Sequence, residues 1–158
     1  MANLKLNIPL SPLRIKIEDR IRKVFDPLRK KYVALTPEEY IRQQFTAWMQ
    51  NEFNYPASLM ANEIGIKLNG TQKRCDTVVF RPDGSPLLIV EFKAPDVRIT
   101  QDTFDQIVRY NMILKAKYLI VSNGINHYCC VIDYNTETYN FLPAIPHYGI
   151  AGGSISDN

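Results

Sequence analysis

Three side chains in this sequence have the types and spacing for chemistry: Asp76, Glu91 and Lys93. Asp76 is the one acid in the apolar run Arg74-Cys-Asp-Thr-Val-Val-Phe80, and Glu91-x-Lys93 lies at the end of a second apolar run, residues 87–94. A carboxylate on an interior strand is costly to bury unless a partner or a reaction requires it. Two carboxylates held side by side repel unless a cation lies between them. An all-oxygen site with few carboxylates, completed by water and phosphate oxygens, suits Mg²⁺ or Mn²⁺. Zinc would call for Cys or His ligands, and His127 and His147 have no metal-ligand spacing. The chemistry such an ion supports is hydrolysis of a phosphodiester. Lys93 fits as the group that orients the attacking water or offsets developing charge.

The elements around these residues must bring them together. Residues two apart on a strand share a face, so Glu91 and Lys93 project together, as Arg74 and Asp76 are expected to do. Residues 63–68 form a preceding strand, with Asn69-Gly70 as the turn. Arg81-Pro-Asp-Gly-Ser-Pro86 is the next turn, and four consecutive apolar residues after it imply a strand buried on both faces. A helix over 101–115 turns Phe104, Ile107, Val108 and Met112 inward, followed by a strand over 118–122 and a closing hairpin of 127–134 and 138–142. Upstream, Thr36-Pro-Glu-Glu39 supplies an N-cap, a Pro at the first helical position and a capping-box Glu. That helix buries Ile41, Phe45, Trp48, Met49 and Phe53, and a short helical stretch over 57–61 follows. Residues 13–25 read as a hairpin. The order predicts an α/β fold: an α/β/α core with a mixed central sheet flanked by helices, plus an N-terminal β-hairpin extension. The crossover helix makes the strand over 118–122 parallel to the one over 87–94. The division expected is an extension over 1–35, a core over 36–145 and a flexible tail over 146–158.

Charge is unevenly spread. Residues 1–35 hold nine Lys/Arg against three acids, and the remainder holds ten against thirteen. A basic arm on a mildly acidic body suits a polyanion, and it equally suits a solvated surface. Arg29, Lys30 and Lys31 are the basic cluster expected to contact nucleic acid. Three cysteines, two of them adjacent in an apolar strand, argue for reduced thiols and a cytoplasmic setting. No apolar run approaches membrane-spanning length.

A lone Glu-x-Lys is common, and a surface pair at a strand end would explain it. The constellation as a whole is more specific. Asp76 followed by Glu91-x-Lys93 resembles the signature of the PD-(D/E)xK nuclease superfamily. Residues 36–43, 73–79 and 89–95, Gln106-x-x-x-Tyr110 and Ser122-Asn-Gly124 resemble, more narrowly, the N-terminal nuclease domain of type I restriction enzyme R subunits. The resemblance implies that the α/β/α core is restriction-endonuclease-like and that the protein is a Mg²⁺- or Mn²⁺-dependent DNA endonuclease. In it Asp76 and Glu91 are metal ligands, and Lys93 is catalytic base or charge stabiliser. Gln106 and Tyr110, four apart on one helix face, help fix Lys93 or the nucleic-acid backbone. A further acid comes from Glu38, Glu39 or Glu63, and Arg74 lies near a bound phosphate.

The sequence departs from that family in having no motor: Gly65 and Gly70 have Walker spacing, but Thr71-Gln72 follows where Lys-Ser/Thr is needed. The chain is therefore expected to act with separate motor or specificity subunits, or to stand alone, with the basic hairpin as a DNA-binding arm or a homodimer contact. The competing reading is a non-catalytic nucleic-acid-binding or assembly module that retains the fold.

Overall fold

Alternating residues near the N-terminus fold as β1 (Ile15–Glu18) and β2 (Ile21–Asp26), antiparallel. Asp19 and Arg20 both take positive φ at their junction, the geometry of a tight hairpin turn. A third strand, β3 (Lys31–Ala34), pairs with β2, so the expected hairpin is a three-stranded sheet. This sheet is fastened to the rest of the molecule. Ser11 and Gln44 exchange two hydrogen bonds, Asn62 donates to Asp26 at 3.0 Å, and Arg29 reaches Glu39 at 2.6 Å.

Helix α1 (Pro37–Phe53) starts as its sequence predicts, with the Glu39 N–H donating to Thr36 Oγ1 at 3.0 Å. The second half of the capping box does not form, because the Glu39 carboxylate is held by arginines. Asn54 ends the helix in the left-handed conformation. One 3₁₀ turn, Ala57–Leu59, is shorter than the stretch expected. Then come β4 (Met60–Leu68), β5 (Thr71–Phe80) and β6 (Pro86–Phe92). Helix α2 (Gln101–Asn111), shorter than expected, gives way to a 3₁₀ turn at Met112–Leu114. Strands β7 (Tyr118–Ser122), β8 (His127–Asp133) and β9 (Thr138–Leu142) follow.

The six strands form one sheet in the order β4-β5-β6-β7-β8-β9, with only β6–β7 parallel. On one face Ile41, Phe45 and Met49 of α1 pack with Leu88, Val90, Phe92 and Ile120. On the other, Phe104 and Val108 of α2 pack with Ile89, Leu119 and Val121. The fold is the expected α/β/α arrangement. Each such fully buried apolar side chain contributes about 1.5–3 kcal/mol over an exposed one.

The computed structural model describes residues 5–152. The expected loose tail is not loose at its start. Tyr148–Ala151 forms a short helix, α3, with Ala151 fully buried and the Tyr148 ring against Tyr55. Residues 153–158 of that tail lie outside the described residues.

One irregularity sets up the site. Glu63 takes φ 52°, and Glu63 opposite Asp76 is skipped in the β4–β5 pairing. Before it, Asn62 and Thr77 hydrogen-bond to each other at 2.7 Å on the α1 side. Beyond it, Ile64 and Cys75 belong to the α2-side core. Alternation is broken there, so side chains two apart across the break lie on opposite faces.

Candidate active site

Strand β6 and helix α2 meet in a cleft of about 440 Å³. Asp76, Glu91 and Lys93 line it from the strands, Gln106, Tyr110 and Asn111 from α2, and Glu38 from the first turn of α1. The three residues at the heart of the sequence reading are therefore together.

Regular β5–β6 pairing begins at Thr77–Val90, which leaves Asp76 next in line beside Glu91. There a side chain replaces the backbone acceptor: the Phe92 N–H donates to Asp76 Oδ2 at 2.8 Å. The Asp76 carbonyl, left free by the skipped pair with Glu63, accepts from Arg42 Nη1 at 2.8 Å. Asp76 is thus fixed at both its main chain and its carboxylate. Lys93 is tied to the neighbouring strand, its N–H donating to the Ser122 carbonyl at 2.8 Å.

Glu91 is the deepest of the acids. Burial, and then the charge of Asp76 beside it, push its carboxyl up to about 9; the Asn111 amide opposes the rise weakly. Its Oε1 is buried without a hydrogen-bond partner, and so is Oδ1 of Asn111. A buried polar atom left unsatisfied costs about 1–3 kcal/mol. Both orphans are oxygens able to accept or ligate, and both belong to residues that line one cleft. That donor set fits a divalent, oxygen-coordinated ion such as Mg²⁺ or Mn²⁺. Among the described residues no group of three or more His, Cys, Asp or Glu side chains converges. Asp76 and Glu91 are the adjacent carboxylates the protein offers here, with water and substrate oxygens to complete a shell.

Several expected members are elsewhere. The Glu39 carboxylate accepts from Arg29, Arg42 and Gln43. Burial works against its ionisation, but the bonds from Arg42 and Arg29 prevail and hold it below the ordinary carboxylate value. Glu63 accepts from Arg42 at 2.9 Å and from Arg74 at 3.3 Å. Arg74 does not share the face of Asp76: the break at Glu63 turns it to the opposite side. Lys73 takes the cleft side instead, its ammonium 3.7 Å from the Tyr110 ring centroid, while Tyr110 itself is 47% exposed. Arg29 is bound to Asp26 and Glu39, so it is no free contact for nucleic acid. Lys30, in the turn before β3, and Lys31, its first residue, are exposed and are not among the residues that line the cleft. Glu38 is the candidate acid that reaches the cleft wall.

Sequence reasoning missed Arg42, Lys73 and Asn111. For Asn111 a signal existed. Phe104, Val108 and Asn111 are the buried residues of α2, a helical stripe with one polar member. His127 has a structural place: its ring contacts Ser122 Oγ and the Asn7 carbonyl. All three cysteines are free and buried, with thiols pushed up to about 12, burial first among the causes.

The comparisons with known proteins bear on the same region. The family described as type I restriction enzyme R protein N terminus matches residues 37–146. Among solved structures, 70% of this chain matches 24% of a fragment described as an HsdR subunit of a type I restriction enzyme from Vibrio vulnificus YJ016, at 22% identity and a TM-score of 0.50. That likeness shows the fold, and the chain spans about a quarter of that fragment's length. No curated protein sequence matches significantly. Since the matched segment runs from the start of α1 past the end of β9 and takes in every residue of the cleft, the chain belongs to the family of type I restriction enzyme R protein N termini.

Proposed function

We propose that this domain is a Mg²⁺- or Mn²⁺-dependent DNA endonuclease of the PD-(D/E)xK kind. The observation that carries the proposal is the neighbouring pair Asp76 and Glu91, with Lys93, in one cleft whose lining residues Glu91 and Asn111 each carry an orphaned buried oxygen. A divalent ion there supplies Lewis-acid polarisation of the phosphoryl group and shields its charge. Asp76 and Glu91 would hold the ion, and the Phe92 N–H keeps the Asp76 carboxylate in place. Lys93 orients the attacking water and offsets charge that grows on the phosphoryl oxygens. Gln106 offers a donor beside Lys93, and the Lys73–Tyr110 pair places a cation over a ring at the cleft mouth, suited to a backbone phosphate. Glu38 can receive a water from the outer side. The setting proposed is cytoplasmic, with DNA as partner and motor or specificity subunits, or a second copy, completing a restriction system. Among the described residues no helix is long and apolar enough to cross a membrane.

The test is supercoiled plasmid with Mg²⁺ or Mn²⁺. Wild-type protein is expected to nick or linearise it, and Asp76→Ala, Glu91→Ala and Lys93→Ala to lose at least about 10²-fold in rate. Equal nicking by wild type and Glu91→Ala would remove the proposal. Exposed Lys30 and Lys31 favour one second reading, a nucleic-acid-binding module that retains the fold. Its mark is DNA binding by a protein that cleaves nothing, unchanged by Glu91→Ala and by chelation.

A further inference from the structure

We infer that Asn111 is a third protein ligand of the divalent-ion site, contributing its side-chain carbonyl oxygen beside Asp76 and Glu91. This rests on the metal-dependent reading above. Asn111 is the last residue of α2 and is only 2% exposed. Its amide orientation is fixed by the helix itself. Nδ2 donates to the Ile107 carbonyl at 2.9 Å, so a flipped amide would set oxygen against oxygen. The oxygen that remains, Oδ1, is buried, without a partner, and belongs to a residue lining the same cleft as Glu91, whose Oε1 is orphaned too. Packing does not explain this. Phe104 and Val108 on the same stripe are apolar, and the contacts of the Asn111 Nδ2 group, to the Ile107 carbonyl and to Glu91, leave Oδ1 unaccounted for.

An amide suits the position chemically. Oxygen-coordinated divalent ions accept Asn carbonyl groups as readily placed ligands. A third carboxylate would add to the repulsion that already raises Glu91, whereas a neutral carbonyl adds a donor without charge. Asn111 follows Tyr110 directly, so one turn of α2 supplies both a ligand and the ring that carries Lys73 at the mouth.

The experiment is Mn²⁺ titration of the nucleic-acid-free protein followed by electron paramagnetic resonance, with thermal melts of each variant in chelator. Wild type, Glu91→Gln, Asn111→Leu and Asn111→Asp are compared. Glu91→Gln is expected to abolish binding. Asn111→Leu is expected to weaken it about tenfold or more while melting no lower than wild type. Asn111→Asp, which keeps an oxygen at that place, is expected to bind at least as tightly as wild type. Wild-type affinity in Asn111→Leu, with binding lost in Glu91→Gln, overturns the role of Asn111 and leaves the nuclease reading standing. Absence of Mn²⁺ binding by wild type overturns both. Should Asn111→Leu not fold, Asn111→Asp decides, and a folded Asn111→Asp with lost affinity overturns the inference.

Discussion

Glu91 ties stability to function in a single group. Burial, and then the charge of Asp76, push its carboxyl from an ordinary value near 4.5 up to about 9 when no metal is bound. Below the ordinary value the group is neutral in folded and unfolded chains alike, so burial costs nothing through ionisation. As pH rises above it, the unfolded chain ionises and the folded chain does not, and stability falls until about 9, where the folded form ionises too. Metal-free protein should therefore lose stability between these limits. Glu91→Gln should melt higher than wild type at pH 8 in chelator, by roughly 2–4 °C per kcal/mol recovered, with a flatter pH profile. Thermal melts across pH check this, and a lower melting point for Glu91→Gln would contradict it. Added Mn²⁺ should stabilise wild type only, increasingly so at higher pH, because the ion must displace the proton. Asp76, Glu91 and Lys93 were readable because acids in apolar runs stand out in any sequence. Asn111 does not stand out in the same way, since a neutral amide on a helix looks ordinary until its partners are known.

Strands and helices place these groups through contacts that no local pattern announces. The start of α1 was legible, for a cap, a proline and an acid follow one another in the chain. The partners of Glu39 were not, because Arg29 lies ten residues upstream and only tertiary folding turns it to the helix. The position of Arg74 was misjudged for a related reason: strict alternation holds only while the backbone stays extended, and Glu63 at φ 52° breaks it. The antiparallel strands and the parallel crossover were legible from apolar runs and turn residues. Arg42 is the hinge pin of this arrangement. Its guanidinium joins Glu39 and Glu63 and accepts the duty of capping the Asp76 carbonyl. Removing one partner of a buried ion pair typically costs about 3–5 kcal/mol. Arg42→Met should lose stability on that scale in urea denaturation, and the folded fraction should bind Mn²⁺ more weakly. Retention of both properties would show that Asp76 needs no such support.

At the scale of the whole molecule, the basic N-terminal residues divide into two groups. Arg29 is internal, whereas Lys30 and Lys31 face solvent. If the exposed pair contacts a DNA backbone, Lys30→Glu with Lys31→Glu should weaken binding uniformly across sequences. The log-log salt slope should fall by about 2, near one unit per lost phosphate contact. Fluorescence anisotropy over a range of salt measures this, and an unchanged slope would place the contact elsewhere. The sheet that carries these lysines has a further consequence for anyone who cuts the protein down. Family similarity begins at residue 37, but the buried polar contacts do not. A fragment trimmed to residues 37–146 would strip Asp26 from Asn62 and Arg29 from Glu39, and would discard the buried Ala151. The segment that matches the family is shorter than the set of residues that pack together, so inactivity of a fragment of that length would count against the site only if the fragment were shown to fold.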